Sequence, residues 1–229
     1  MNEATLEAIE IETGKNPAAA VIWMHGLGAD GNDFVPIVRE LRLDAAPAIR
    51  FVFPHAPLRP VTINNGYVMR AWYDVTYGDL EGKSKRPDEA GVRESERAIG
   101  RLLAKERARG IAPERLVLAG FSQGGALALQ TGLRYPERLA GILALSTYLP
   151  LADTLAQEAA ASNKRTPIFM AHGTQDPVVP YAMGSASRQA LSSLGYEVEW
   201  REYPMPHSVC LEEVNDIAAW LKRVLNPGT

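Results

Sequence analysis

The sequence predicts an α/β fold, with a mostly parallel central sheet and helices on both faces, built as one domain over residues 1–229. Three observations carry that expectation. Short continuous apolar runs recur along the chain, as expected of strands covered on both sides. Segments with helical spacing of apolar residues separate those runs, and this alternation produces βαβ units and a parallel sheet. Between residues 116 and 133 one such run passes through a turn directly into an apolar helix.

Taken in order, residues 6–12 alternate in part and read as an edge strand, followed by a turn at Gly14-Lys15-Asn16-Pro17. Residues 18–24 are uninterruptedly apolar and read as a central strand. A helix is expected from Asn32 or Asp33, with Phe34, Ile37, Val38 and Leu41 on one face. The next strand covers 49–53 and stops at Pro54. From 55 to 87 there is no long periodic segment, only a possible short strand at 69–73, and stretches this long without regular structure are often functional. Residues 88–109 form a charged amphipathic helix ended by Gly110 and Pro113. Later strands are expected at Gly141–Leu145, 167–171 and Val198–Tyr203, with helices at 152–161, 181–194 and Leu211–Leu225.

Composition narrows the function. A net charge of −3, with no run of Lys and Arg, gives no footprint for nucleic acid or a membrane surface. The single cysteine, Cys210, excludes an intrachain disulfide. Residues 1–5 lack the basic start and apolar run of a secretion signal, and no stretch approaches the ~20 apolar residues of a membrane span. A soluble, cytoplasmic protein is the expectation, with no metal and no cofactor.

The chemistry is expected at the carboxyl ends of the strands, where open α/β sheets bind ligands. Gly120-Phe121-Ser122-Gln123-Gly124 places a serine in the sharp turn between strand and helix. Alone that pattern is weak. Asp176 follows the strand at 167–171 and His207 follows the last strand, so the chain order is Ser, Asp, His, with steps of 54 and 31 residues. Each step leaves room for one βα unit. Ser122 is the candidate nucleophile, His207 the base that takes and returns its proton, and Asp176 the group that orients the imidazole. The Gln123 amide, at a helix N-terminus, and the Leu27 amide, in the loop after the first central strand, are the candidate oxyanion donors. Asp30, Asp33 and Asp153 read as turn or cap residues, and His25, His55 and His172 as structural histidines, with His25 also able to brace the oxyanion loop.

Gly26, Gly28 and Gly31 also spell G-x-G-x-x-G, a dinucleotide-binding signature. The next strand ends in Phe53-Pro54-His55 without the acid that would hold a ribose, which argues against that reading. Cys210, in the apolar company of Val209 and Leu211, reads as a packing residue rather than a rival nucleophile.

Five stretches together, His25-Gly26-Leu27-Gly28-Ala29-Asp30-Gly31, Phe53-Pro54-His55-Ala56-Pro57, Gly120 to Gly125, His172 to Pro180 and Met205-Pro206-His207, resemble the carboxylesterase/acyl-protein thioesterase family of α/β-hydrolases, and its bacterial carboxylesterases in particular. The resemblance spans nearly the whole chain. It implies the α/β-hydrolase fold and hydrolysis of carboxylic esters with short to medium acyl chains, or alternatively of acyl-protein thioesters or lysophospholipids. It implies the same triad and oxyanion donors, and it places Trp72-Tyr73-Asp74 beside the active-site cleft. Trp72, Tyr148 and Leu149 are the expected acyl-pocket residues. A homodimer is a further implication of the resemblance.

Overall fold

The computed structural model describes residues 5–43, 47–80 and 88–226, apart from the Leu80 side chain. Seven strands form one sheet: β1 (Ala8–Glu12), β2 (Ala19–Met24), β3 (Ile49–Pro54), β6 (Leu116–Phe121), β7 (Gly141–Leu145), β8 (Ile168–Gly173) and β9 (Val198–Tyr203). Their spatial order is β1-β3-β2-β6-β7-β8-β9, and every pair is parallel except β1 with β3. Two short strands, β4 (Leu58–Val61) and β5 (Tyr67–Arg70), form a separate antiparallel hairpin.

Position in the sheet explains the patterning of each strand. β2 lies between β3 and β6, and all six of its residues are buried. β1 and β9 are the edges, and both remain partly exposed. Because side chains alternate across a strand, the sheet feeds two cores. Ala20, Ile22, Met24, Leu116, Leu118, Ile142 and Met170 face one side, covered by α3 (Glu89–Ala108), α4 (Gln123–Arg134), α5 (Ala152–Glu158) and α6 (Tyr181–Ser193). Val21, Trp23, Phe51, Val117, Leu143 and Phe169 face the other, under α1 (Ile37–Glu40) and α7 (Leu211–Leu225). Helices on both faces of a mostly parallel sheet are what the sequence predicts. Among the described residues no helix is long and apolar enough to cross a membrane.

Two segments differ from expectation. The helix expected from residue 32 shrinks to the single turn of α1. Pro36 has no N–H to donate, and the preceding residues make i→i−3 bonds instead, Asp33 to Asp30 and Val35 to Asn32. The excursion after β3 is ordered throughout its described part. It contains β4, β5 and α2 (Tyr77–Leu80), and β5 covers 67–70 rather than 69–73. Thr62 and Asp74 bind each other by backbone and side chain, Ile63 N–H donates to Val75 O, and Asp88 caps α3 while accepting the Asp74 N–H. Residues 81–87, the end of that expected aperiodic stretch, lie outside the described residues.

Candidate active site

β6 delivers Ser122 into a backbone conformation that side-chain-bearing residues avoid, with φ 55° and ψ −121°. Such strain costs about 1–3 kcal/mol and persists only where surrounding structure imposes it. Here the imposition is visible. Ser122 N–H donates to Leu145 O on the neighbouring strand at 2.8 Å, and its carbonyl accepts from Ala126 N–H at 3.1 Å and from the Thr147 hydroxyl at 2.6 Å. The flanking glycines are required by close approach. A Cβ at Gly120 would stand 2.2 Å from the Gly124 carbonyl, and one at Gly124 would stand 2.2 Å from Met24 O.

β9 and the turn after it place His207, whose ring packs on Phe121, the residue before Ser122, with centroids 4.6 Å apart. Its Nδ1–H donates to Asp176 Oδ2 at 2.7 Å. That leaves Nε2 with a lone pair, the state a base needs. Asp176 comes from the end of β8, and its side chain is sealed from solvent. Burial pushes its carboxyl upward, but the His207 bond and the N–H groups of Val178 and Val179 on Oδ1 outweigh burial and hold it below the ordinary carboxylate value. His172 is buried beside it, donating through Nε2 to Val179 O at 2.9 Å, with the same nitrogen 3.5 Å from Asp176 Oδ2. Burial holds its imidazole below the ordinary value.

The loop after β2 adjoins the serine: a Cβ on Gly26 would stand 3.4 Å from Ser122 Cβ. Among the described residues, neither the Leu27 nor the Gln123 N–H finds an acceptor. His25 braces this loop. Its Nδ1–H donates to Gly26 O at 2.7 Å and its Nε2 accepts from Ala56 N–H at 3.1 Å, while burial lowers its pKa to about 4 and keeps it neutral. Of the other glycines in the loop, Gly28 adopts φ 79° and Gly31 allows close packing. Gly28 N–H donates to Arg70 O, and a Cβ at Gly31 would stand 2.5 Å from Phe53 O. Asp30 closes an Asx-turn on Asn32.

Trp72, an expected acyl-pocket residue, has no accessible surface. Its indole N–H donates to His25 O at 2.9 Å, its ring lies 5.3 Å from that of His25, and Ser95 Oγ donates to its carbonyl. What holds it is the Gln123 side chain, a role that sequence reasoning missed. Gln123 Oε1 accepts the Trp72 N–H at 2.8 Å, and Nε2 donates to Tyr73 O at 2.7 Å. Tyr148 meets Tyr73 through their hydroxyls at 2.9 Å, and buried Leu149 donates its N–H to Ser187 Oγ. A groove of about 680 Å³ opens at the opposite end of the sheet, beside Lys164, Ile168, Val198 and Trp220. No serine, cysteine or histidine lines it, so concavity alone does not locate the chemistry.

Two expected outcomes follow from these contacts. Gln123→Ala strands the Trp72 N–H and the Tyr73 carbonyl, which should cost about 2–3 kcal/mol in urea unfolding. Activity on a p-nitrophenyl ester should fall about ten- to a hundredfold through misplacement, far less than on removing Ser122. Cys210 is half-buried, a little more open than expected, and packs against the α7 core without a side-chain capping bond. Cys210→Ala should retain nearly full activity at a cost of about 1 kcal/mol. Rapid stoichiometric inactivation by iodoacetamide at Cys210, with Ser122→Ala still active, would contradict this.

The phospholipase/carboxylesterase family model matches residues 6–225. The chain belongs to that family. Among curated members, acyl-protein thioesterase 1 of Gibberella zeae is 36% identical over 233 residues, covering 99% of each chain. The Neurospora crassa protein of the same name is 44% identical over 89% of this chain and 85% of its own. Carboxylesterase SOBER1 of Arabidopsis thaliana is 37% identical over 90% of each chain. Its crystal structure superposes with a TM-score of 0.83 at 34% identity, over 90% of this chain and 99% of that one. These family members are fungal and plant proteins, so the narrower kinship with bacterial carboxylesterases is not supported. A phospholipase/carboxylesterase structure from Dyadobacter fermentans, at 23% identity and TM-score 0.68, shares the fold. As a phospholipase/carboxylesterase family member, the chain is a serine hydrolase of the esterase and acyl-protein thioesterase kind.

Proposed function

We propose that Ser122, His207 and Asp176 form the catalytic triad and that the Leu27 and Gln123 amides form the oxyanion hole. The observation that carries this reading is the 2.7 Å His207–Asp176 bond, with the His207 ring resting on the residue that precedes the strained Ser122. Ser122 Oγ attacks the acyl carbonyl as His207 Nε2 takes its proton. Asp176 offsets the charge of the imidazolium, and the tetrahedral oxyanion meets two N–H groups that have no acceptor among the described residues. The same imidazolium then returns the proton to the leaving alcohol or thiol, and water repeats the sequence on the acyl-enzyme. Residues 1–229 act as one hydrolase domain in this reading, consistent with the family match over 6–225.

The substrate class is carboxylic esters of short to medium acyl chains. Tyr73, Tyr148 and Leu149 support an apolar acyl site, with Tyr73 and Tyr148 joined hydroxyl to hydroxyl. A second reading, hydrolysis of acyl-protein thioesters, is favoured by the names of relatives at 36% and 44% identity. Both substrates pass through the same tetrahedral intermediate, so only turnover separates them. The test compares kcat/KM on p-nitrophenyl esters of graded length with that on a palmitoyl-thioester peptide. A monotonic rise with chain length and a preference for the thioester would replace the first reading with the second. The homodimer implied by the family resemblance is checked by sedimentation in the same preparations.

A further inference from the structure

Glu213 stands in the first turn of α7, six residues beyond His207. Its side chain is fully buried, and neither carboxyl oxygen has a hydrogen-bond partner. It is the third residue after Cys210, the N-cap of α7, the position from which a glutamate reaches back to the N-cap amide. The Cys210 N–H faces the carboxyl without closing a full hydrogen bond.

The groups around it offer no compensating charge. On its own element are Cys210 and Asp216. From β9 comes Tyr203, whose hydroxyl donates to Asp216 Oδ2 at 2.7 Å. Arg201, also on β9, lies 3.6 Å from that same Asp216 oxygen. Among the described residues no cation faces Glu213, and a buried carboxylate without one is strongly disfavoured. Burial chiefly, with the Asp216 charge adding and the Cys210 N–H opposing, raises its pKa to about 8.

The turn between β9 and α7 carries His207, which is held at its tip by the Asp176 bond and the Phe121 ring, while Met205 anchors its start in the core. Ser208 N–H donates to Pro206 O, and Met205 O accepts from Gln175 N–H. We propose that Glu213 is a positioning residue for His207: its buried, unpartnered carboxyl, packed beneath the N-cap of α7, holds residues 206–210 in the register where His207 Nδ1 meets Asp176. The proposal rests on the reading of His207 as the base. Ionisation would draw the carboxylate toward water, shifting the turn and misaligning the imidazole, so kcat should suffer while KM changes little.

The test is the pH profile of kcat and KM for wild type, Glu213→Gln and Glu213→Leu on a p-nitrophenyl ester. Glutamine copies the neutral acid and cannot ionise. It should keep near wild-type kcat at neutral pH and lose the decline that wild type shows above about pH 8. Leucine fills the space without polar contact and should lower kcat about ten- to a hundredfold at every pH. Stability supplies a second readout. The folded state holds a proton that the unfolded chain releases above 4.5, so wild-type Tm should fall relative to Glu213→Gln as pH rises from 4.5 to about 8, and the gap should then stay constant. Alkaline profiles that coincide for wild type and Glu213→Gln, or wild-type kcat in folded Glu213→Leu, would overturn the proposal. Fluorophosphonate labelling of the wild-type preparation separates the two readings. If Ser122 labels, such a result removes the role of Glu213 alone; if Ser122 does not label, the triad falls and the proposal with it.

Discussion

Replacing Ser122 by alanine is expected to lower kcat by about a millionfold, the loss seen when a nucleophile whose partners depend on it is removed. The fold should survive, because the bonds that hold residue 122 run through its backbone N–H and carbonyl. A fluorophosphonate probe should label native wild type stoichiometrically, and label neither the Ala variant nor denatured protein. Ser122→Gly offers an internal control. Glycine adopts φ 55° without strain, so this variant should be equally inactive yet about 1 kcal/mol more stable than Ser122→Ala in urea. A Ser122→Ala enzyme retaining more than about a hundredth of wild-type kcat would move the nucleophile elsewhere.

Asp176→Asn should lower kcat by about ten-thousandfold at neutral pH. Asparagine keeps the shape, and its carbonyl can still accept from Val178 and Val179. Its amide, however, would donate to His207 Nδ1 and push the imidazole proton onto Nε2, the atom that accepts from Ser122 in the proposed triad. A stability effect accompanies the kinetic one. The folded-state pKa of Asp176 lies below the ordinary carboxylate value of 3.8, so ionised Asp176 contributes stability that is complete above that value and is lost as pH falls through the lower folded one. Acid titration of wild type should therefore show a loss that Asp176→Asn lacks. If the two acid transitions coincide, the bond to His207 is not what holds the carboxyl down.

Much of this was legible in the sequence because the signals were strong and local. β7, β9 and α7 have the bounds that periodicity assigns, and the glycines at 120 and 124 flag a turn too tight for side chains. Other features carried no such signal. The β4–β5 hairpin is four residues a side with Pro60 in one strand, too short for alternation to register. The α1 segment shows helical spacing, but spacing does not report the missing N–H of Pro36. Trp72 reads as an apolar residue in a loop, and neither its burial nor its bonds to His25 and Gln123 has a sequence signal. Glu213 is legible only as a charged residue near a helix start, and its full burial depends on how α7 lies against β9.

The double use of Gln123 has a consequence for how this enzyme could diverge. Its main chain is the proposed oxyanion donor, and its side chain anchors the backbone of Trp72 and Tyr73. Altering the acyl range by moving the 72–73 strip means loosening two bonds made by the residue next to Ser122, the proposed nucleophile. Turnover and substrate range are therefore coupled at this position. A library that randomises the strip while leaving Gln123 in place should change acyl preference and slow turnover together, whereas variants at Tyr148, which meets Tyr73 through a hydroxyl contact, can shift preference without disturbing the start of α4.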